Sequence, residues 1–141
     1  GDIEARAQMM SAAAMGATAF QKGLGAIHAL SHPLGAMYHT HHGTTNAVVM
    51  LPVLRANRPA IETQLSAAAD YLGISGGFDG FYSFVTELIS GLDIPPNLTA
   101  LGVENPDIDA VVRASLADPS AGGNPIEMTF DTTKSLLQAC L

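Results

Sequence analysis

The residues with the clearest chemical potential are the five histidines, which all lie in one short segment between His28 and His42. No Asp, Glu, Lys or Arg occurs from Gly23 to Leu54, so the histidines share an uncharged and largely apolar part of the chain. Neutral imidazole is the commonest metal ligand among the side chains. The segment therefore predicts a buried polar site with metal binding as its first candidate chemistry.

The spacing of three histidines fits such a site. His28 and His32 are four residues apart and face one side of a helix, and His42 follows His28 by fourteen residues. Side chains from a helix and from the next turn could close around Fe²⁺ or Zn²⁺, whose nitrogen ligands lie at about 2.0–2.2 Å. Core histidines bonded to backbone, with His39 and His41 in solvent, explain the same spacing equally well.

No carboxylate or thiol lies near the histidines in sequence, so the site is predicted to be incomplete. Any carboxylate ligand must come from a distant position or from outside the chain. Asp70 and Glu87 are available, but each falls on the solvent side of a predicted helix.

The elements that must position the histidines are helices. Apolar residues recur at three- and four-residue spacings and no segment alternates as a strand does, so we predict an all-α fold of about seven helices. The second helix has one apolar face, formed by Ile27, Leu30, Leu34 and Met37. It carries the first two histidines and is expected to kink or restart at Pro33. Thr44 to Asn46 are predicted to cap a third helix, and Pro59 to begin a fourth that ends at Gly73. The Ala- and Met-rich first helix, residues 2–21, is expected to be buried on more than one side.

Composition excludes some classes of function. A net charge of −7 with only six Lys and Arg argues against nucleic-acid binding, which needs a basic surface. The uncharged stretch holds too many His, Pro and Gly to predict a membrane span, and the first residues are not predicted to form a signal peptide. Cys140 is the single cysteine and has no partner for an internal disulfide, which fits a cytoplasmic protein.

Only 13% of residues are charged and 48% are hydrophobic, which predicts a covered apolar surface and a homo-oligomer.

Several motifs carry a family resemblance. The chain reads Gly-Leu-Gly-Ala-Ile-His28-Ala-Leu-Ser-His32-Pro-Leu-Gly-Ala-Met-Tyr, then His42-Gly, then Asn46-Ala-Val-Val-Met-Leu-Pro52. These residues closely resemble the signature of the iron-containing (group III) alcohol dehydrogenases. Glu4-Ala5-Arg6 with Met10 is similar to the family's preceding helix, and the stretch from Asp118-Pro119 to Asn124-Pro125-Ile126 to its late loop.

The resemblance implies a fold and a set of site residues. Residues 1–141 would be one all-α domain of the dehydroquinate synthase-like type, the C-terminal portion of a two-domain enzyme whose N-terminal dinucleotide-binding domain is absent. His28 and His42 match two metal ligands of the family, while its other Asp and His ligands have no counterpart. His32 matches a non-ligand histidine beside nicotinamide and substrate, and is the predicted catalytic residue. His39 and His41 stand where the family usually has Asn or Asp and often Pro.

The resemblance also implies an activity. The intact protein would be a metal-dependent, NAD(P)-linked alcohol dehydrogenase that uses Fe²⁺, with Zn²⁺ possible, on a small alcohol or aldehyde. The chain alone is predicted to be inactive, because it has no Gly-rich phosphate-binding turn after a strand. Two alternatives stay open: a reductase of the maleylacetate reductase type, and a non-catalytic helical module that binds metal through its own histidines, His39 and His41 included.

Overall fold

The computed structural model describes all residues from Gly1 to Leu141 and contains helices and no strand, which confirms the all-α prediction. Six α-helices follow one another, close to the predicted seven, and short 3₁₀ turns occur at Phe20–Lys22 and Ala121–Gly123. The α-helices are α1 (Ile3–Ala19), α2 (Ala26–Tyr38), α3 (His42–Tyr71), α4 (Gly77–Ser90), α5 (Ile108–Ala117) and α6 (Phe130–Gln138).

The core forms where α2, α3, α5 and α6 meet. Each helix contributes aliphatic side chains with little or no exposed surface, among them Leu30, Val49, Val111 and Leu137. The apolar face predicted for α2 is partly confirmed, because Leu30 and Leu34 are fully buried whereas Met37 is 40% exposed. Burial of this face fixes the rotation of α2, and with it the direction of the histidines on its other side.

The predicted boundary between a third and a fourth helix is wrong, because α3 runs without interruption through Pro52 and Pro59. A proline inside a helix costs about 3 kcal/mol in isolation. Packing offsets this cost, since Val49 and Val53 of α3 share the core with Leu30 of α2, and α3 also packs against α4. The predicted end of the helix is confirmed, as Gly73 has a left-handed backbone (φ 71°) just beyond Tyr71.

Two expectations about the first two helices are also corrected. No residue of α1 is buried, and its apolar side chains lie at the surface, with Ile3 81% and Met10 74% exposed. The other helices complete the core without α1, which packs mainly against the 3₁₀ turn that follows it. Of the kink or restart expected at Pro33, the restart is wrong, because α2 continues through Pro33 to Tyr38.

No helix combines the length and the apolar character needed to cross a membrane. The free thiol of Cys140 is buried at the end of α6, where its Sγ donates a hydrogen bond to the carbonyl oxygen of Leu136. Burial raises the pKa of Cys140 to about 12, so the thiol is protonated and unreactive at neutral pH.

Candidate metal centre

The connection between α2 and α3 brings His42 back against the two histidines of α2. His39 ends α2 in a left-handed conformation (φ 57°), and His41 is the N-cap of α3, where its Nδ1 accepts a hydrogen bond from the Thr44 backbone N–H at 3.3 Å. The prediction that Thr44 to Asn46 cap this helix is therefore wrong by several residues. An imidazole can serve as a cap acceptor, which composition-based capping preferences do not anticipate. Helix α3 consequently starts at His42.

The rings of His28, His32 and His42 form a compact triangle. The centroid of His28 lies 5.7 Å from that of His32 and 5.3 Å from that of His42, and the rings of His32 and His42 stack at 5.3 Å with 15° between their planes. The expectation of a buried site is wrong for this chain, since His28 is half-buried and the other two are exposed. Burial of the opposite, apolar face of α2 places the rings of His28 and His32 on the outer side of that helix, where His42 at the start of α3 meets them.

Asn46, one turn into α3, links the two predicted ligands. Its side-chain amide donates to Nε2 of His28 at 3.4 Å and to Nε2 of His42 at 3.1 Å. Both Nε2 atoms therefore act as acceptors, with the proton of each neutral ring on Nδ1. The Oδ1 atom of the same amide is buried without a partner. Two nitrogen lone pairs thus converge on one electropositive group, which is the arrangement that a metal ion requires of its ligands.

The lowered pKa of His28 favours the neutral imidazole that a metal ligand requires. Burial lowers the pKa of His28 below its usual value, and the nearby His42 and His32 lower it further. Metal binding requires a neutral imidazole, so this shift favours the form that can bind an ion at neutral pH.

No set of three or more His, Cys, Asp or Glu side chains in the chain is arranged to hold a metal ion. Asp70 and Glu87 are exposed, as predicted.

Asp118 is a further residue of the site, and the sequence analysis missed it. His32 donates from Nδ1 to Oδ2 of Asp118 at 2.8 Å, and these residues are 86 positions apart. Partial burial alone would raise the pKa of Asp118, but hydrogen bonds from the Ser120 backbone N–H and from His32 lower it below the usual value. No local pattern points to this pair. The only signal available was the resemblance of the Asp118 loop to the family's late loop.

The loop after α5 also holds the N-terminus of α2. Gly25 caps this end without a side chain, and Oδ1 of Asn124 accepts from the Ala26 backbone N–H at 3.1 Å. The amide of Asn124 is paired with that of Asn57 on α3, through bonds of 2.8 and 2.9 Å. The loop and the segment before α2 approach each other so closely that a Cβ at Gly123 would overlap the backbone of Leu24. The start of α2, and hence His28, is therefore fixed by tertiary contacts.

This arrangement predicts a large effect of Asn124→Ala on stability. The substitution leaves the Ala26 N–H and the nearly buried Asn57 amide without partners, and each such loss costs about 1–3 kcal/mol. We expect the free energy of unfolding to fall by at least about 2 kcal/mol in urea titrations. The control is Gln64→Ala on the exposed side of α3, expected to change it by less than about 0.5 kcal/mol. Equal effects of the two variants would contradict this role.

Two surface grooves border the helices. One, of about 430 Å³, lies beside His28 between the end of α1 and the start of α2, and is lined by apolar groups that include Phe20, Ile27 and Leu54. The ring of Phe20 meets that of His28 edge to face at 5.6 Å. A second groove, of about 540 Å³, lies between α3, α4 and α6, away from the histidines.

The sequence of the whole chain, residues 1–141, matches the family model for the C-terminal part of the Fe-containing alcohol dehydrogenase family. The chain belongs to this family. It is 36% identical to 4-hydroxybutyrate dehydrogenase from Cupriavidus necator, in an alignment over 97% of the chain and 38% of that protein.

Solved structures of family members have the same fold. A 1,3-propanediol oxidoreductase matches with a TM-score of 0.77 and 28% identity, over 84% of the chain and 33% of that structure. A maleylacetate reductase from Rhizobium sp. strain MTP-10005 matches with a TM-score of 0.63 and 30% identity, over 84% of the chain and 32% of that structure. The chain thus spans about a third of the length of these relatives.

Proposed function

We propose that this chain is the metal-binding helical part of a metal-dependent, NAD(P)-linked alcohol dehydrogenase. The observation that carries the proposal is the convergence of Nε2 of His28 and Nε2 of His42 on a single position, now taken by the Asn46 amide. Membership of the iron-containing family supports Fe²⁺ as the ion, with Zn²⁺ as a substitute. The rest of the ligand set would come from outside this chain.

The side chains have separate roles in this proposal. His28 and His42 would hold the ion, which when bound would supply Lewis acidity toward a substrate oxygen. His32 sits against both rings, but its Nδ1 is engaged by Asp118, so only Nε2 is free to exchange a proton with the substrate. This role for His32 is general acid–base catalysis in the alcohol–aldehyde interconversion.

The remaining features of the proposal concern the whole protein. The chain has no strand followed by a Gly-rich turn, so NAD or NADP would bind mainly to a separate N-terminal domain. The apolar groove beside His28 supports a small alcohol or aldehyde as substrate. Exposed apolar side chains, such as Tyr71 at 91%, support a homo-oligomer, and the free buried cysteine fits a cytoplasmic location.

The proposal is tested by comparing the full-length protein with this 141-residue chain, both stripped of metal and titrated anaerobically with Fe²⁺ and Zn²⁺. We expect the full-length protein to bind one ion and to reduce NAD or NADP with small primary alcohols. The chain alone should bind weakly, with a dissociation constant on the order of micromolar or higher, and should show no activity.

Other outcomes would favour the alternatives. One ion bound tightly by the chain alone would mean that its own ligands suffice, which supports a metal-binding module. Activity of the full-length protein with maleylacetate but not with alcohols would instead support the related reductase, whose fold the chain shares.

A further inference from the structure

Asp118 is held more firmly than a surface carboxylate normally is. Its side chain is 13% exposed, against 41% for its partner His32. Oδ1 accepts from the Ser120 backbone N–H at 2.8 Å, while Oδ2 accepts from Nδ1 of His32 at 2.8 Å. The two carboxylate oxygens thus have different and fixed partners.

The loop around Asp118 is anchored on both sides. Asp118 follows directly after α5, whose Val111 and Val112 are fully buried, and Ser120 is only 9% exposed. Further along, Asn124 is bonded to Asn57 and to the start of α2. The carboxylate is therefore fixed relative to the helix that carries His32, and a fixed acceptor restricts the ring to one orientation.

We propose that Asp118 is a positioning residue that sets the tautomer and ring plane of His32. This proposal deepens the proposed dehydrogenase function and rests on it. The bond to Asp118 keeps the proton of neutral His32 on Nδ1, so Nε2 carries the lone pair. In alcohol oxidation the substrate hydroxyl O–H bond breaks and its proton binds to Nε2. The resulting imidazolium is stabilised by the ionised Asp118, which keeps its charge throughout.

The asymmetry of the two oxygens makes Asp118→Asn a sharp test. The Ser120 N–H requires an acceptor, so the amide oxygen would stay on Ser120 and the NH₂ group would take the place of Oδ2. This group would donate to Nδ1 of His32 and move the ring proton to Nε2. Asp118→Glu keeps the charge and the acceptor. Asp109→Asn is the matched control, because Asp109 forms an ion pair with Lys134 at 2.9 Å, away from the histidines.

The experiment uses the full-length protein in two states. In the metal-free protein at mildly alkaline pH, ¹⁵N imidazole NMR, with His32→Gln as the assignment control, should show Nδ1–H in the wild type and Nε2–H in Asp118→Asn. In the metal-loaded protein, Asp118→Asn should lower kcat by about 100-fold with little change in KM or metal content. Asp118→Glu should recover part of kcat, and Asp109→Asn should match the wild type.

Two results would overturn the proposal: a wild-type His32 with its proton on Nε2, or an Asp118→Asn variant with unchanged kcat. A wild-type protein with no dehydrogenase activity would contradict the proposed function instead. The tautomer measurement does not depend on activity, so it would still decide whether Asp118 sets the state of His32.

Discussion

Replacing His28 or His42 with alanine in the full-length protein is expected to abolish metal retention and, with it, activity. The structure offers only these two convergent Nε2 atoms, so the loss of either one leaves a single imidazole from this chain. Removal of a group that merely supports a ligand already costs 10–100-fold in metal affinity, so we expect a loss of more than about 100-fold here. Metal content after gel filtration and anaerobic titration with Fe²⁺ would measure it.

The matched control for these variants is His39→Asn. His39 belongs to the same segment, is exposed, and has a left-handed backbone that asparagine tolerates. It should keep full metal content and stability, because its ring has no part in the triangle formed by His28, His32 and His42. Normal metal content in His28→Ala, or metal loss in His39→Asn, would show that the ligand assignment is wrong.

His32→Gln should differ from the His28→Ala and His42→Ala variants, because it should retain the metal and lose turnover. Its Nε2 is the proposed proton acceptor, and general acid–base catalysis contributes about 10²–10⁴-fold to turnover. We therefore expect kcat to fall in that range while metal content stays at the wild-type level. Steady-state kinetics and metal analysis on one preparation would measure both. Loss of the ion together with activity would instead make His32 a ligand.

Combining His32→Gln with Asp118→Asn tests whether the two residues act as one unit. If Asp118 acts only through His32, the double variant should lose no more turnover than His32→Gln alone. Additive losses would give Asp118 a role independent of the histidine. The 2.8 Å bond between the two side chains is the reason to expect strong coupling.

The sequence by itself determined the helical class and singled out the histidines of the candidate site. The three- and four-residue apolar spacing of α2 predicted which side is buried, and the same periodicity predicted that His28 and His32 share another side. These inferences succeed because they depend on the geometry of one helix and on neighbouring residues. The long motif around the histidines also allowed the family to be recognised, and the match over residues 1–141 confirms it.

Tertiary structure alone decided the features that join distant parts of the chain. The residues around Pro59 predict a helix start, but α3 continues through Pro59 because it packs against α2 and α4. The pairing of His32 with Asp118 and the cap that Asn124 provides for α2 join residues 86 and 98 positions apart. No local periodicity encodes such pairs, because they form only once α5 and its loop have packed against α2. The sequence thus supplied the reactive groups and their helices, while long-range packing fixed their orientation and hydrogen-bond partners.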